Sequence, residues 1–169
     1  MCLVGPSGVP LQDKIVTQTR KGNFIDNNQC WVMTRSCINE WARKQREYPP
    51  PRAVPRPNPP SSVYNCHGLT FASRRTIVCD LEIQKILNDD DYTEVNDWRN
   101  VLAGDIVIYY ANGTGDAEHS GIVIEAHSNM QLCTEIKVLS KWGLTGEMIH
   151  SLTACPYPEC TCKYFRVTK

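Results

Sequence analysis

Cys66 and His119 are the residues of this 169-residue chain whose types and settings suit covalent chemistry. Cys66 stands in "YNCHGLTFASRR", after a proline-rich stretch and ahead of a helix-like run. A helix start would bring backbone N–H groups to its sulfur and favour the thiolate. His119 stands where the loop "NGTGDAE" meets the apolar run "SGIVIE", so a rigid strand would aim its imidazole. Gly121 beside it permits close approach of another backbone. A histidine that takes a thiol's proton and returns it to a leaving group is the partner a nucleophilic cysteine needs. A third polar group would orient the imidazole through its other nitrogen. Ser140, in "KVLSKWG", is the candidate for that place, one strand beyond His119. Lys141 falls on the opposite face by strand alternation and offers no acceptor. Taken singly, Cys66 reads as a buried structural thiol and His119 as a solvated loop residue. Their order along the chain is what joins them.

Three zones must position these residues. Residues 1–48 form an N-terminal helical extension, with "DNNQCWVMTRSCINEWARKQREY" as its helix. Asp26, Asn27 and Asn28 offer N-cap oxygens, and Cys30, Met33, Cys37, Ile38 and Trp41 recur at helical spacing. Arg43, Lys44 and Arg46 fall in the last turns, where the dipole favours cations. Residues 49–62 are a proline-rich connector. Seven prolines in the twelve residues 49–60 exclude a helix or a central strand, and predict an extended, exposed segment. A docking motif for a polyproline-binding protein partner is the alternative reading. Residues 63–169 carry the pattern of an α+β domain. A helix follows Cys66 over about Leu69 to Arg75, and "DLEIQKILND" makes a second. "AGDIVIYY" and "SGIVIEAHS" then read as paired antiparallel strands, with "TEIKVLSKWG" and "CKYFRVTK" as the third and fourth.

The bulk numbers exclude several classes. Net charge is zero, with 18 basic and 18 acidic residues, which argues against a basic nucleic-acid surface and removes the simplest attraction to anionic membranes. No apolar run approaches the roughly 20 residues of a membrane span. "MCLVGPSGVPLQDK" lacks the basic start and long apolar stretch of a signal peptide. Nine cysteines, an odd number without a small-domain disulfide spacing, point to a mostly reduced cytoplasmic chain. Export would need a route without a signal peptide.

The motifs "NCHGLTFASRR", "AGDIVIYY" and "EHSGIVIE" resemble, in that order, those of the NlpC-type cysteine peptidases and the related CHAP amidases. The resemblance covers about residues 63 to 145. It implies a compact papain-like domain, with the cysteine helix packed on an antiparallel sheet. It implies cleavage of an amide, peptide or isopeptide bond, as in cell-wall amidases or effector and toxin domains, with Cys66 as nucleophile, His119 as base and no cofactor. "VLSKWGLTGE" also resembles a segment of larger papain-like peptidases that would place Ser140 at the orienting position. The Cys66 N–H would hold the oxyanion together with Tyr64, since related peptidases often use a tyrosine just upstream. Asn65 stands where the bacterial wall enzymes carry Asp, and His67 where they carry a small residue; both belong to the cleft by position. Serine in the third place is a weaker orienter than His, Asn or Glu. The rival expectation is therefore a catalytically weakened papain-like fold that serves as a binding module.

Other signals are weaker. Cys155, Cys160 and Cys162, with His150 nearby, could form a metal site, a local disulfide or a thiol-bearing turn, and their spacing is irregular for zinc. Cys2 could act as an N-terminal nucleophile, without downstream support. Asp89, Asp90 and Asp91 look like a solvated helix end rather than a calcium loop. Trp31, Trp41, Trp98 and Trp142 read as core or cleft wall.

Overall fold

A computed structural model describes residues 14–30, 32–57, 59–129, 132–143, 145–157 and 160–168. Cys2 and Trp31 lie outside them. In chain order the elements are β1 (Asn27–Asn28), α1 (Arg35–Glu47), β2 (Ala53–Pro55), α2 (Cys66–Phe71), β3 (Ile77–Val78), α3 (Ile83–Asp89), β4 (Tyr92–Glu94), β5 (Ile106–Ala111), β6 (Ala117–Asn129), β7 (Leu132–Lys141), β8 (Glu147–Ser151) and β9 (Cys160–Val167). The fold is α+β. Seven strands form an antiparallel sheet in the order β2-β8-β7-β6-β5-β9-β4, and β1 pairs separately with β3. Among the described residues no helix is long and apolar enough to cross a membrane.

The apolar run of β5 explains itself once both faces of the sheet are covered. Side chains alternate along a strand. Ile106 and Ile108 therefore pack with Ala72, Ile83, Ile86 and Leu87 beneath α2 and α3. Val107 and Tyr109 face the other way, with Val123, Val138, Cys155 and Tyr164. A strand buried on both faces reads as a continuous apolar run rather than an alternating one. The same alternation separates His119, opposite Tyr109, from Ser120, opposite Ile108.

Several boundaries differ from the sequence reading. Helix α1 begins at Arg35, capped by the Thr34 hydroxyl, and not near Asn27. Asn27 has other partners: its side chain bonds the backbone of Ile15 and Ile25 and accepts from the Thr76 hydroxyl, which holds it in β1. Helix α2 begins at Cys66 itself and stops at Phe71, short of Arg75. Ser73 and Arg74 take left-handed backbone conformations (φ 50° and 67°), which a helix cannot continue through. The proline-rich segment contributes β2, an edge strand whose Pro55 is tolerated because an edge leaves one side of the ladder unpaired. Its Ala53 is fully buried with Trp142 and Met148, under Trp41 of α1 and Tyr48. The expected exposure of that segment holds for Val54 but not for Ala53. The acidic helix end is not simply solvated. Thr19 and Asn23 bond Asp89, and Arg20 bonds Asp90 and Asp91.

Candidate active site

The start of α2 is fixed by Asn65. Its Oδ1 accepts the Gly68 N–H (2.8 Å) and the Val78 N–H (3.2 Å), while its Nδ2 donates to the Val78 carbonyl (2.9 Å). Asn65 is thus an N-cap and a clamp onto β3, and its side chain is consumed by that work. Gly68 lets the helix lie against the neighbouring chain: a Cβ there would sit 1.8 Å from the Thr76 carbonyl oxygen. Gly121 does the same for β6, where a Cβ would meet Val138 at 2.4 Å.

Cys66 is a buried thiol, 7 % exposed. Burial pushes a thiol's pKa up, as it does for Cys155, which rises to about 12. Cys66 goes the other way. Burial still opposes its charge, but the imidazoles of His67 and His119 outweigh it and hold the thiol well below its ordinary value. A six-residue helix has too small a dipole to do this alone; the two imidazoles do it.

The two histidines are built differently. His119 is fully buried. Its ring stacks on Tyr157 (centroids 4.5 Å apart, 22° between planes) and tilts against Tyr109. Among the described residues neither of its nitrogens has a formed hydrogen bond. Its ring still lies close enough to lower the Cys66 thiol, by its charge first and then by a hydrogen-bonding approach looser than a closed bond, as is common before substrate binds. His67 is equally buried, but both nitrogens are engaged. Nδ1 lies 2.8 Å from the Ser120 hydroxyl. Nε2 lies 3.0 Å from the Ala117 carbonyl and 3.2 Å from Asp80. Burial works against its charge, yet Cys66 and Asp80 push its pKa up to about 10.

Ser140 does not orient His119. The Trp142 indole N–H donates to its Oγ (3.0 Å), and its own proton goes to His150 Nε2 (2.8 Å). His150 Nδ1–H is spent on the Ser151 carbonyl (2.8 Å). Burial holds this imidazole neutral, with its pKa down to about 4. Tyr64 is not a free oxyanion donor either. Its single proton goes to Glu147 (2.6 Å), a buried carboxylate that Arg74 also holds. Lys141, set aside on sequence grounds, is fully buried next to these groups. It donates to the carbonyls of Ser61 and Thr145 and stands 4.8 Å over the Tyr64 ring. Burial lowers its pKa to about 8, against the pull of Glu147 and Cys66.

Cys66, His67 and His119 thus come together; Ser140, Tyr64 and Asn65 lie close in the chain or sheet but serve other partners. Sequence reasoning missed Asp80, Ser120 and Tyr157. Ser120 had a signal, since alternation beside His119 sends it to the helix face. Asp80 and Tyr157 had none. Cys155 and Cys162 pack with the apolar cluster of the far face, and no metal-binding group of His, Cys, Asp or Glu occurs among the described residues. The apolar groove of about 520 Å³ lined by Trp98, Ile136, Leu152 and Tyr164 touches none of the site residues. No family model, curated protein or solved structure matches the chain.

Proposed function

We propose that the protein is a cysteine-dependent hydrolase or acyltransferase of the NlpC-type, papain-like kind, acting on an amide, peptide or isopeptide bond. The observation that carries this reading is a buried cysteine at the start of α2 with two buried imidazoles beside it, which lower its thiol's pKa against burial, one of them with neither nitrogen in a hydrogen bond of ordinary geometry among the described residues. A buried polar group without a partner costs about 1–3 kcal/mol, and such exceptions call for a reason. Proton transfer during a reaction is such a reason.

The Cys66 thiolate attacks the substrate carbonyl carbon, forming a C–S bond as the carbonyl electrons move to oxygen. The Cys66 N–H, a first-turn amide without an intrahelical acceptor, donates to that oxygen. The tetrahedral centre collapses and expels the amine, which takes a proton from protonated His119. Water, or an acceptor amine, then loses a proton to His119 as it attacks the thioester, and the thiolate leaves.

The test is alkylation followed by turnover. Iodoacetamide near neutral pH should label Cys66 ahead of the other thiols. His119→Ala should abolish release of amine from a peptide-amide library, and Cys66→Ala should abolish both. If Cys66 reacts no faster than Cys37 or Cys79, the enzyme reading fails. A second reading has one observation behind it: no hydrogen bond of ordinary geometry among the described residues orients His119. A binding module built on a weakened site would show fast alkylation, no amine release, and peptide binding that survives His119→Ala.

A further inference from the structure

The hydrogen-bond chain behind Cys66 fixes where protons can sit. The Thr70 hydroxyl donates to the Cys66 carbonyl (3.0 Å), so its proton is spent. The 2.9 Å contact between Thr70 and Ser120 then takes its proton from Ser120. With that proton gone, Ser120 can only accept at its 2.8 Å contact with His67 Nδ1. On the ring's other side, Nε2 meets only acceptors, the Ala117 carbonyl and the Asp80 carboxylate. Both ring nitrogens therefore carry hydrogen. His150 differs: burial holds it neutral, its one hydrogen goes to the Ser151 carbonyl, and Ser140 donates to the other nitrogen.

From this geometry we infer that His67 is a fixed, buried imidazolium, a positioning residue that keeps Cys66 ionised while His119 alone exchanges protons. This rests on the proposed role of Cys66 as nucleophile. The consequence is chemical. In a simple cysteine–histidine pair, the histidine that hands its proton to the leaving amine also stops being the counter-ion of the sulfur. Here a second cation stays beside the sulfur at every step, including the one in which thiolate is the leaving group. No substrate bond is made or broken at His67.

The groups facing the pair are few. Cys66 and Thr70 come from α2, Ser120 and His119 from β6, Asp80 from the turn before α3, Lys141 from β7 and Tyr157 from the loop before β9. Lys141 adds a further positive charge near the sulfur. Tyr157 adds none at neutral pH, since burial and then the Cys66 charge push its hydroxyl up.

Two measurements decide the matter. Ring nitrogen NMR of the wild-type chain, labelled at histidine, should show both His67 nitrogens protonated at about pH 8, where an unperturbed imidazole is neutral. A neutral His67 tautomer at that pH overturns the inference, whatever the variants do. The second is the pH profile of Cys66 alkylation. His67→Gln should lower the rate at about pH 6 at least tenfold relative to wild type while sparing it at about pH 9, which requires the thiol's pKa to rise to about one unit or more above the lower assay pH. Because His67→Gln could unsettle the buried site, Asp80→Asn, at an exposed side chain, provides the second variant. It should bring His67 into titration at lower pH and move the alkylation profile the same way. An unchanged profile in both variants overturns the proposal. The two readings fail separately. A protonated His67 with no amine release removes the hydrolase but leaves the charged pair. Amine release that needs Cys66 and His119, beside a neutral His67, does the reverse.

Discussion

Replacing Asn65 separates the scaffold of the site from its chemistry. In Asn65→Ala, the Gly68 N–H loses its cap and the buried Val78 loses partners for both its N–H and its carbonyl. Loss of an N-cap costs about 1 kcal/mol. A buried backbone group left without a partner costs about 1–3 kcal/mol, reduced where the chain can shift or water can enter. The expected loss is about 2–4 kcal/mol in all. Asn65→Asp behaves differently. It keeps both acceptor bonds and loses only the donor to the Val78 carbonyl, so it should cost about 1–2 kcal/mol. It also brings a negative charge next to Cys66, which opposes the thiolate and should move its alkylation profile to higher pH. Urea unfolding followed by tryptophan fluorescence reads the stability, with an unchanged slope as the check that the unfolded state is the same. A loss below about 0.5 kcal/mol in the alanine variant, or equal losses in both variants, would refute the clamp.

Two further outcomes follow from the buried network on the other face. His150 refuses a proton down to about pH 4, while an unfolded histidine takes one at about 6.5. Between those values the unfolded chain binds the extra proton, so stability should climb with pH across the window by up to about 3 kcal/mol and level off above it. Urea midpoints taken from about pH 4 to 7 test this, and a flat response would show that His150 can be protonated in the fold. Ser140→Ala strands the Trp142 indole N–H and His150 Nε2, and should cost about 2 kcal/mol in the same unfolding assay. Its Cys66 alkylation rate should stay within about twofold of wild type, whereas an orienting residue for His119 would slow it by well over tenfold.

The strands that carry the site were legible because burial on both faces leaves an unbroken apolar run, as in Ile106 to Tyr109. Strand β8 was not, because "EMIHS" mixes a buried carboxylate and a buried imidazole, each of which is affordable only through distant partners: Arg74 for Glu147 and Ser140 for His150. The start of α1 was misread for a similar reason. Asn27 and Asn28 are good caps in isolation, but Thr76, 49 residues away, holds Asn27 as a strand. The positions of Cys66 at a helix start and His119 on a strand were legible because each lies in a local motif that names the element beneath it. The role of His67 was hidden. It depends on Asp80 and Ser120, and nothing near "NCHG" in the chain reveals either.

Three buried histidines show how the fold assigns chemistry without changing the residue. Each imidazole is removed from water: His67, His119 and His150 are at most 1 % exposed. Burial alone would hold His67 and His150 neutral. What differs is the kind of atom each nitrogen meets. His67 meets acceptors on one side and a serine whose proton is already spent on the other, so it keeps two protons and a charge. His150 meets one acceptor and one donor, so it keeps one proton and serves as a brace. His119 meets ring faces and the Cys66 sulfur, and neither of its nitrogens is in a hydrogen bond of ordinary geometry among the described residues. Unspent ring nitrogens are what the proposed general base needs, and of the three only the ring on β6 has them.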